Sequence, residues 1–436
     1  MSVLLLSVFI IGCSSDKNVE NAKPLVLKKE ELTTSHISQD SGDYTHLVAD
    51  STEEQNQSKY ENSYFKAWHI LNSEDVAKNV EWAFDSYNAS NGYGENLQAL
   101  SQNFFEEMKS NANFKDYFTL NQKAVTLKEV NLRAFPTDRP LLLDPSRAGE
   151  GFPFDYLQNS TVHANKPIFA THYSSDKEWV HVFSSFAFGW VKVNEIVFLE
   201  KRELELWQKA QQVFIIKDDV PIYSLDGDFL FKSKLGMMFA LISEDADTYS
   251  VLAISSYAGS KPLFVKANID KDIAHKGFVA FNGENIKRVV NELLKSNYGW
   301  GGMYGQRDCS STIRDMFAPF GVWLPRNSYK QSLVGEVVNL DGLSDEEKIV
   351  KIKEKAMPFK TLFYKKGHIM LFTGIFNDEI TVFQNVWGVK TKKDEIEGRF
   401  IIGKTIFSTL KLGSELTHYD QNASVLSNLK SMNILF

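Results

Sequence analysis

Four glycines within seven residues, at positions 299, 301, 302 and 305, constrain the fold of this chain more than any other feature of its sequence. Glycine adopts backbone conformations that other residues avoid, so the stretch predicts a tightly turning segment between two regular elements. Asp308 follows as a predicted helix N-cap, and apolar residues then recur at helical spacing up to Pro319. Cys309 therefore lies in the first turn of a predicted helix, where the helix macrodipole favours the thiolate.

The last third of the chain also contains a histidine that is suited to act as a base for this thiol. His368 lies near the start of a predicted strand, residues 367–374, which a turn-prone Asn-Asp pair joins to a second strand. If the hairpin reverses near Phe376, Gln384 lies opposite His368 on the same face, and its amide oxygen accepts from the imidazole. A register slip of one residue would place Asn385 there instead. A lone cysteine or histidine is often a core residue, but the three residue types together favour catalysis by a thiol.

Residues 1–13 have the pattern of a lipoprotein signal peptide. The apolar run 2–12 is too short to span a membrane, and it ends in Ile-Ile-Gly-Cys13, which resembles the lipobox whose cysteine is acylated in bacterial lipoproteins. No Lys or Arg precedes Lys17, a departure from the usual basic start, and the alternative is a buried N-terminal strand.

Residues 14–60 are polar and predict a flexible tether. We therefore expect a lipid-anchored protein of the bacterial periplasm, with the outer membrane favoured.

The rest of the 436 residues divides into segments of different sequence pattern. Residues 61–122 predict a small helical segment, and residues 123–202 and 203–280 each show short strands broken by turns, as in small barrels. Residues 281–436 have helices first and antiparallel strands afterwards, which is an α+β order. Trp190, in a Gly-Trp-Val strand of the kind found in bacterial SH3-like domains, is expected in the core rather than in a ligand site. The predicted fold class is therefore multidomain, with a helical segment, two all-β barrels and an α+β domain.

Charge and motif content exclude several classes of protein. The formal net charge of −7 argues against nucleic acid as a partner. CxxC, HExxH and GxxxxGK[ST] motifs are absent from the sequence, so neither a common metal site nor a nucleotide-binding loop is predicted. Beyond the N-terminus, no run of 18 apolar residues occurs, and we expect no further segment to cross a bilayer.

The motifs around the predicted site resemble those of the NlpC-type papain-like cysteine peptidases of bacterial cell walls. The matching stretches are Tyr298-Gly-Trp-Gly-Gly, Asp308-Cys309-Ser310, Gly367-His368-Ile and Gln384-Asn385-Val-Trp-Gly388. Residues 132–137 and 153–160 are similar to the first SH3-like domain of a subgroup with an N-terminal stabilising segment and two such domains. The resemblance covers most of the chain after residue 61 and implies a papain-like fold for the α+β domain.

The resemblance also assigns catalytic roles. It makes Cys309 the nucleophile, His368 the general base, and Gln384 the third, polar residue at a position where the family most often has histidine. A neutral amide orients an imidazole but does not compensate imidazolium charge, so weaker activity or a shifted pH dependence is expected. Tyr298 matches the tyrosine whose hydroxyl, with the Cys309 backbone N–H, faces the developing oxyanion.

Substrate-binding roles follow from the same resemblance. Asp308 and Ser310 match residues that bind the terminal amine and backbone of free stem peptides, although a helix N-cap is an equally good explanation of Asp308. Arg326 and Ser328 belong to a matching substrate-lining segment.

The implied reaction is hydrolysis of the γ-D-glutamyl–diaminopimelate (or lysine) amide of peptidoglycan stem peptides, with no metal or organic cofactor. One alternative is a catalytically weak or inactive peptidoglycan-binding lipoprotein, which the unusual Gln384 permits. Another is an amidase or acyltransferase acting on a different amide, because a thiol and an imidazole do not define their substrate.

Overall fold

The computed structural model describes residues 37–48, 57–258 and 261–436. These residues form a helical N-terminal segment, two successive β-sheet units and a C-terminal α+β unit, which confirms the predicted fold class. The predicted signal peptide, including Cys13, and most of the predicted tether lie outside the described residues. Within the described ranges, helices long and apolar enough to cross a membrane are not found, nor are groups of three metal-ligating side chains.

The N-terminal segment contains four short α-helices joined by turns. They are α1 (Gly42–Thr45), α2 (Gln57–Tyr64), α3 (Trp82–Ser86) and α4 (Gln102–Asn111). The longest, α4, begins after Ser101, whose hydroxyl accepts a hydrogen bond from the Phe104 N–H, as an N-cap residue does. Phe104 and Phe105 on this helix pack under the first sheet unit.

Residues 37–48 are part of the folded body, so the prediction of a flexible tether is wrong for this segment. Tyr44 on α1 is 1% exposed, and its ring stacks on Phe407 of the C-terminal unit with centroids 4.2 Å apart. The Gln39 side chain also exchanges two hydrogen bonds with the backbone of Phe407, at 2.9 and 3.0 Å. Polar composition hid this segment because its apolar side chains are few: Tyr44 is buried, and Ile37 and Val48 pack against the same core.

The first sheet unit has seven strands. They are β1 (Gln122–Thr126), β2 (Val130–Arg133), β3 (Gln158–Val162), β4 (Pro167–Tyr173), β5 (Trp179–Ser184), β6 (Phe188–Lys192) and β7 (Ile196–Phe198). All pairs are antiparallel, in the order β3-β2-β6-β5-β4-β1-β7. Trp190 on β6 is 1% exposed, which confirms that it is a core residue.

The second sheet unit follows helix α5 (Lys201–Lys209). Its strands are β8 (Gln212–Ile215), β9 (Pro221–Tyr223), β10 (Phe229–Lys232), β11 (Met238–Glu244), β12 (Thr248–Ala258), β13 (Lys261–Asp270) and β14 (Ala274–Lys276). Five of them form a sheet in the order β13-β12-β11-β8-β14, and β9 pairs with β10 as a separate hairpin.

The C-terminal unit packs helices on a six-stranded sheet. Its helices are α6 (Gly283–Leu294), α7 (Cys309–Phe317), α8 (Ser328–Gln331) and α9 (Asp345–Lys355), and its strands are β15 (Glu336–Asn339), β16 (Thr361–Lys365), β17 (His368–Phe376), β18 (Glu379–Lys393), β19 (Ile396–Thr409) and β20 (Leu429–Ile434). The strand order is β15-β20-β16-β17-β18-β19. The apolar face of α6 and the inner side of α7 share one core with Leu371, Phe383 and Phe407 of the sheet. This core fixes the start of α7 against the start of β17.

Candidate active site

The first helical residue of α7 is Cys309, and the helix begins there because Asp308 caps it. The Asp308 carboxylate accepts the Ser311 N–H at 2.9 Å, and the Ser311 hydroxyl accepts the Asp308 N–H at 2.9 Å. This reciprocal pattern satisfies backbone donors that the first turn of a helix leaves free. The N-cap role expected for Asp308 is therefore present, and it holds the cysteine at a defined helix terminus.

The glycine-rich loop before α7 lies directly against the first sheet unit. Gly301 and Gly302 have φ values of 59° and 88°, in the left-handed region that other residues rarely adopt. A Cβ on Gly301 would come 2.6 Å from the Gln158 carbonyl oxygen, and one on Gly302 would collide with the Thr161 side chain. Glycine is required here because two units of the chain approach each other closely. The Gln158 amide also donates to the Gly301 carbonyl at 3.3 Å.

The imidazole of His368 is held by Gln384, as predicted. His368 Nε2 lies 2.7 Å from Gln384 Oε1, so Nε2 carries the proton and Nδ1 keeps its lone pair. Gln384 is 1% exposed, and its amide nitrogen donates to the Ser408 hydroxyl at 2.6 Å.

The predicted register of this hairpin is wrong by two residues, and a β-bulge explains the outcome. Phe376 pairs with Glu379, and Phe372 pairs with Val382, with a register shift between Phe372 and Gly374. Without the shift, the odd-numbered residues of β18 would share the face of His368. The extra residue in β17 reverses this assignment and makes Gln384 a diagonal neighbour of His368.

Asn385, the alternative partner of His368, points to α7 instead. Its amide nitrogen donates to the Arg307 carbonyl at 2.8 Å and to the Thr312 hydroxyl at 3.2 Å. Asn385 therefore ties the sheet to the segment that precedes Cys309.

The thiol of Cys309 lies beside the start of β17 and is 7% exposed. The backbone N–H groups of Ile369, which follows His368, and of Ser310 lie close enough to the sulfur to favour its ionised form. Burial raises the pKa of the Cys309 thiol to about 12, the Asp308 carboxylate adds to the rise, and the two N–H groups oppose it. Desolvation of the thiol therefore acts against the thiolate that the helix macrodipole was expected to favour.

The pKa of His368 moves in the opposite direction. Burial lowers the pKa of this imidazole to about 4, and the positive charge of Lys365 lowers it further, while the bond to Gln384 opposes the change. At neutral pH the two groups are therefore a neutral thiol and a neutral imidazole. A neutral imidazole accepts a proton, so His368 can act as a general base.

Tyr298 lies near the thiol and lines the same cavity. Burial raises the pKa of its hydroxyl well above the ordinary value, and the Cys309 sulfur, once ionised, and the Asp308 carboxylate add to the rise. The hydroxyl therefore remains a hydrogen-bond donor at any physiological pH. Its ring packs against Trp387 at a centroid distance of 5.8 Å.

Arg326 joins the predicted substrate-binding residues into one buried cluster. Its guanidinium donates to Asp308 Oδ2 at 2.6 Å and Oδ1 at 3.0 Å, and to the Ser310 hydroxyl at 2.8 Å. The same guanidinium donates to the Ser160 hydroxyl of β3 at 2.8 Å. The carboxylate of Asp308 is thus neutralised by an internal partner, and one residue of the first sheet unit completes the cluster.

A cavity of about 870 Å³ opens above the cysteine. Three parts of the chain form its walls: residues 66–87 of the N-terminal segment, the first sheet unit, and the C-terminal unit. The predicted site residues that line it are Tyr298, Asp308, Cys309, Ser310, Arg326 and Ser328. Gly367, which precedes His368, lies at its edge. The structure therefore brings every predicted site residue except Cys13, which lies outside the described ranges, to one region of the molecule.

Three supporting residues were not predicted from the sequence. Ser160 and Gln158 lie in the stretch that resembles an SH3-like domain, but that motif gave no sign that they contact the site. Ser408 had no sequence signal, because a serine in a strand is common. Only the pairing of β18 with β19 shows its position beside Gln384.

Family models match the chain in four places. Residues 2–117 match the N-terminal stabilising domain of NlpC/P60 proteins, residues 140–192 an SH3 domain of SH3b1 type, and residues 201–246 an SH3 domain of SH3b2 type. Residues 295–398, which contain Cys309, His368 and Gln384, match the NlpC/P60 family. Comparison of the sequence with curated proteins gave no match.

Solved structures resemble the fold. An NlpC/P60 endopeptidase from Photobacterium damselae subsp. piscicida superposes with a TM-score of 0.79 at 21% identity, over 92% of this chain and 97% of that one. An NlpC/P60 family protein from Bacillus cereus is 14% identical with a TM-score of 0.48, over 72% of this chain and 99% of that one. The four domain matches show that this chain has the architecture of NlpC/P60 proteins: a stabilising N-terminal domain, two SH3-like domains and a C-terminal NlpC/P60 domain.

Proposed function

We propose that the protein hydrolyses the γ-D-glutamyl–diaminopimelate (or γ-D-glutamyl–lysine) amide of peptidoglycan stem peptides. The observation that carries the proposal is the placement of Cys309 at the start of α7, under a large cavity and beside the strand that bears His368. The family match to residues 295–398 supports a peptidoglycan substrate. Cationic side chains that line the cavity, Lys66 and Lys330, suit a substrate that carries free carboxylates.

The proposed reaction starts from the neutral pair. His368 Nδ1 takes the thiol proton as the Cys309 sulfur attacks the carbonyl carbon, so no preformed thiolate is required. The Tyr298 hydroxyl and the Cys309 backbone N–H, which has no acceptor in the first helical turn, donate to the oxyanion that forms.

The tetrahedral intermediate then collapses to a thioester. The imidazolium of His368 gives its proton to the leaving amine, and the amine departs with the diamino acid. A water molecule next loses a proton to His368 and attacks the thioester. The thiol recovers that proton as the γ-glutamyl carboxylate is released, so the enzyme returns to its starting state.

We also propose that the protein is a lipoprotein of the bacterial periplasm. The support is the apolar run that ends in Ile-Ile-Gly-Cys13, and acylation of Cys13 would hold the enzyme at a membrane next to its substrate. Detergent partitioning of the wild type, compared with a Cys13→Ser variant, tests this part separately from catalysis.

Digestion of purified muropeptides, with mass analysis of the products, tests the main proposal. We expect products split between D-glutamate and the diamino acid, and no cleavage by Cys309→Ala. Products with other ends would identify an amidase or acyltransferase instead, because each bond leaves a different mass.

A second candidate function is peptidoglycan binding without turnover. The raised pKa of the Cys309 thiol and the neutral Gln384 at the third position favour it, because both weaken formation of an ion pair. Binding of muropeptides by the wild type without any cleavage would support this candidate and contradict the main proposal.

A further inference from the structure

We propose that Ser408 is a positioning residue that sets the direction of the Gln384 amide and, through it, selects the nitrogen of His368 that carries the proton. Ser408 lies on β19, where it pairs with Val382 and stands diagonally beside Gln384. Its hydroxyl lies 2.6 Å from Gln384 Nε2 and 3.1 Å from the Thr409 carbonyl oxygen. Both Ser408 and Gln384 are 1% exposed, so water does not replace these bonds.

The need for such a residue follows from the chemistry of an amide. A glutamine presents an oxygen at one end and an NH₂ group at the other, and the two ends have nearly the same shape. With the oxygen towards His368, the imidazole carries its proton on Nε2, and Nδ1 is a base. With the amide reversed, the NH₂ group donates to Nε2, and the proton moves to Nδ1. That tautomer accepts no proton at Nδ1, so it does not activate a thiol there.

Ser408 distinguishes the two directions because its own hydrogen already has an acceptor. The hydroxyl donates to the Thr409 carbonyl, which leaves only lone pairs for the Gln384 side chain. An NH₂ group satisfies those lone pairs, whereas an amide oxygen there would repel them or break the bond to Thr409. His368 Nε2 donates to the Gln384 oxygen. The Gln384 NH₂ group donates to the Ser408 hydroxyl, and that hydroxyl donates to the Thr409 carbonyl. A carboxylate or a charged histidine at position 384 would not have one donor end and one acceptor end. The role of Ser408 in setting the direction of the side chain is therefore specific to glutamine.

The first test is the tautomer of His368, read from the ¹⁵N shifts of the full-length protein labelled at histidine. The signals of His368 are assigned by their loss in His368→Ala. We expect Nε2–H in the wild type and a mixture, or Nδ1–H, in Ser408→Ala. Ser408→Thr retains a hydroxyl and should restore the wild-type spectrum.

Thr405→Val is the matched control for this spectrum. Thr405 is a buried residue on the same strand, and its Oγ1 has no hydrogen-bond partner in the part of the chain that the structure describes. Its replacement should therefore leave the tautomer of His368 unchanged.

The second test is kinetic and rests on the proposed function. For muropeptide cleavage we expect kcat to fall about tenfold or more in Ser408→Ala with KM unchanged, since one buried hydrogen bond is worth about that factor in an equilibrium. In a Gln384→Glu background, the same Ser408→Ala change should have little effect, because a carboxylate has no donor end. Circular dichroism of each variant establishes that it is folded, and Ser408→Cys replaces Ser408→Ala if the latter is not.

The outcomes separate this inference from the proposed function. An Nε2–H tautomer that persists in the folded Ser408→Ala variant overturns the inference, whatever the enzyme cleaves. A changed tautomer in a protein that cleaves no muropeptide supports the role of Ser408 and contradicts only the proposed function. The inference is supported if Ser408→Ala lowers kcat only when residue 384 is the native glutamine. It is contradicted if Ser408→Ala lowers kcat equally in the Gln384→Glu background.

Discussion

The Arg326 guanidinium donates to both oxygens of the Asp308 carboxylate, at 2.6 and 3.0 Å, one residue before the cysteine. Ion pairing with Arg326 and the N-cap bonds lower the pKa of Asp308 despite its burial, so the carboxylate is charged at neutral pH. The pair therefore sets the charge next to Cys309 as well as the start of α7.

Arg326→Met should destabilise the protein strongly. It leaves a buried carboxylate without its partner, a change that typically costs roughly 3–5 kcal/mol in free energy of unfolding. Urea unfolding at pH 7 measures the loss. The double variant Asp308→Asn/Arg326→Met should regain most of it, because asparagine still caps a helix and carries no charge. A double variant no more stable than Arg326→Met would contradict this account of the pair.

On the acid side of the pH profile, kcat/KM should fall to half its maximum at a pH well below the ordinary histidine pKa of about 6.5. Because burial, with the charge of Lys365, lowers the pKa of His368 to about 4, the imidazole remains an unprotonated base as the pH falls to that region. Activity should persist at pH 5 and fall as the pH passes through about 4. Initial rates across the acid and neutral range measure the profile, and circular dichroism at each pH shows whether the protein is folded there. A fall centred near the ordinary value would show that His368 is not desolvated in the free enzyme.

Lys365→Gln should move this fall in kcat/KM to higher pH. Lys365 pairs with His368 across β16 and β17, and its positive charge disfavours the imidazolium. Removing the charge raises the pKa of His368, so protonation begins at a higher pH. Lys366→Gln is the matched control, because that lysine is exposed in the adjoining turn. Equal shifts in the two variants would point to a general charge effect.

A pair of buried histidines in the first SH3-like domain should make the fold sensitive to acid. His172 and His181 are 0% and 1% exposed, and burial lowers the pKa of both imidazoles. The unfolded chain binds protons at these positions below about pH 6.5, whereas the folded chain binds them less readily. Stability should therefore fall as the pH drops below that value, by at most about 1.4 kcal/mol per pH unit for each histidine.

The variant His172→Gln/His181→Phe isolates this contribution. Its free energy of unfolding should depend less on pH between 7 and 5 than that of the wild type, as measured by urea titration. The loss of the His172 bond to the Ala112 carbonyl, at 3.0 Å, lowers stability at both pH values and cancels in the comparison. Parallel pH profiles for the two proteins would contradict the prediction.

Local sequence signals predicted the parts of the site that are locally determined. The N-cap at Asp308 and the strand that begins at His368 follow from spacing along a single segment, and both are present. The bond between His368 and Gln384 was also predicted, but for an imperfect reason. The assumed register omitted the bulge near Gly374, and the same-face relationship survived because the error was an even number of residues.

Features that depend on contacts between distant segments were missed. The thiolate was expected from the helix terminus alone, whereas the pKa of Cys309 is set by burial beneath other parts of the chain. The bonds from Arg326 to Ser160 and from Gln39 to Phe407 join residues that are 166 and 368 positions apart. Side-chain periodicity contains no information on such pairs, so only the folded structure identifies them.

The contact between the glycine loop and the first SH3-like domain means that the C-terminal unit does not form the cleft by itself. A fragment that began at α6 would lose the wall against which Gly301 and Gly302 are packed, together with the Ser160 acceptor of Arg326. Such a fragment would expose Trp300, whose indole N–H now donates to the Asp155 carbonyl. Truncated versions prepared for assays or inhibitor screening would therefore present a wider and more permissive groove, and their substrate range would overstate that of the intact enzyme.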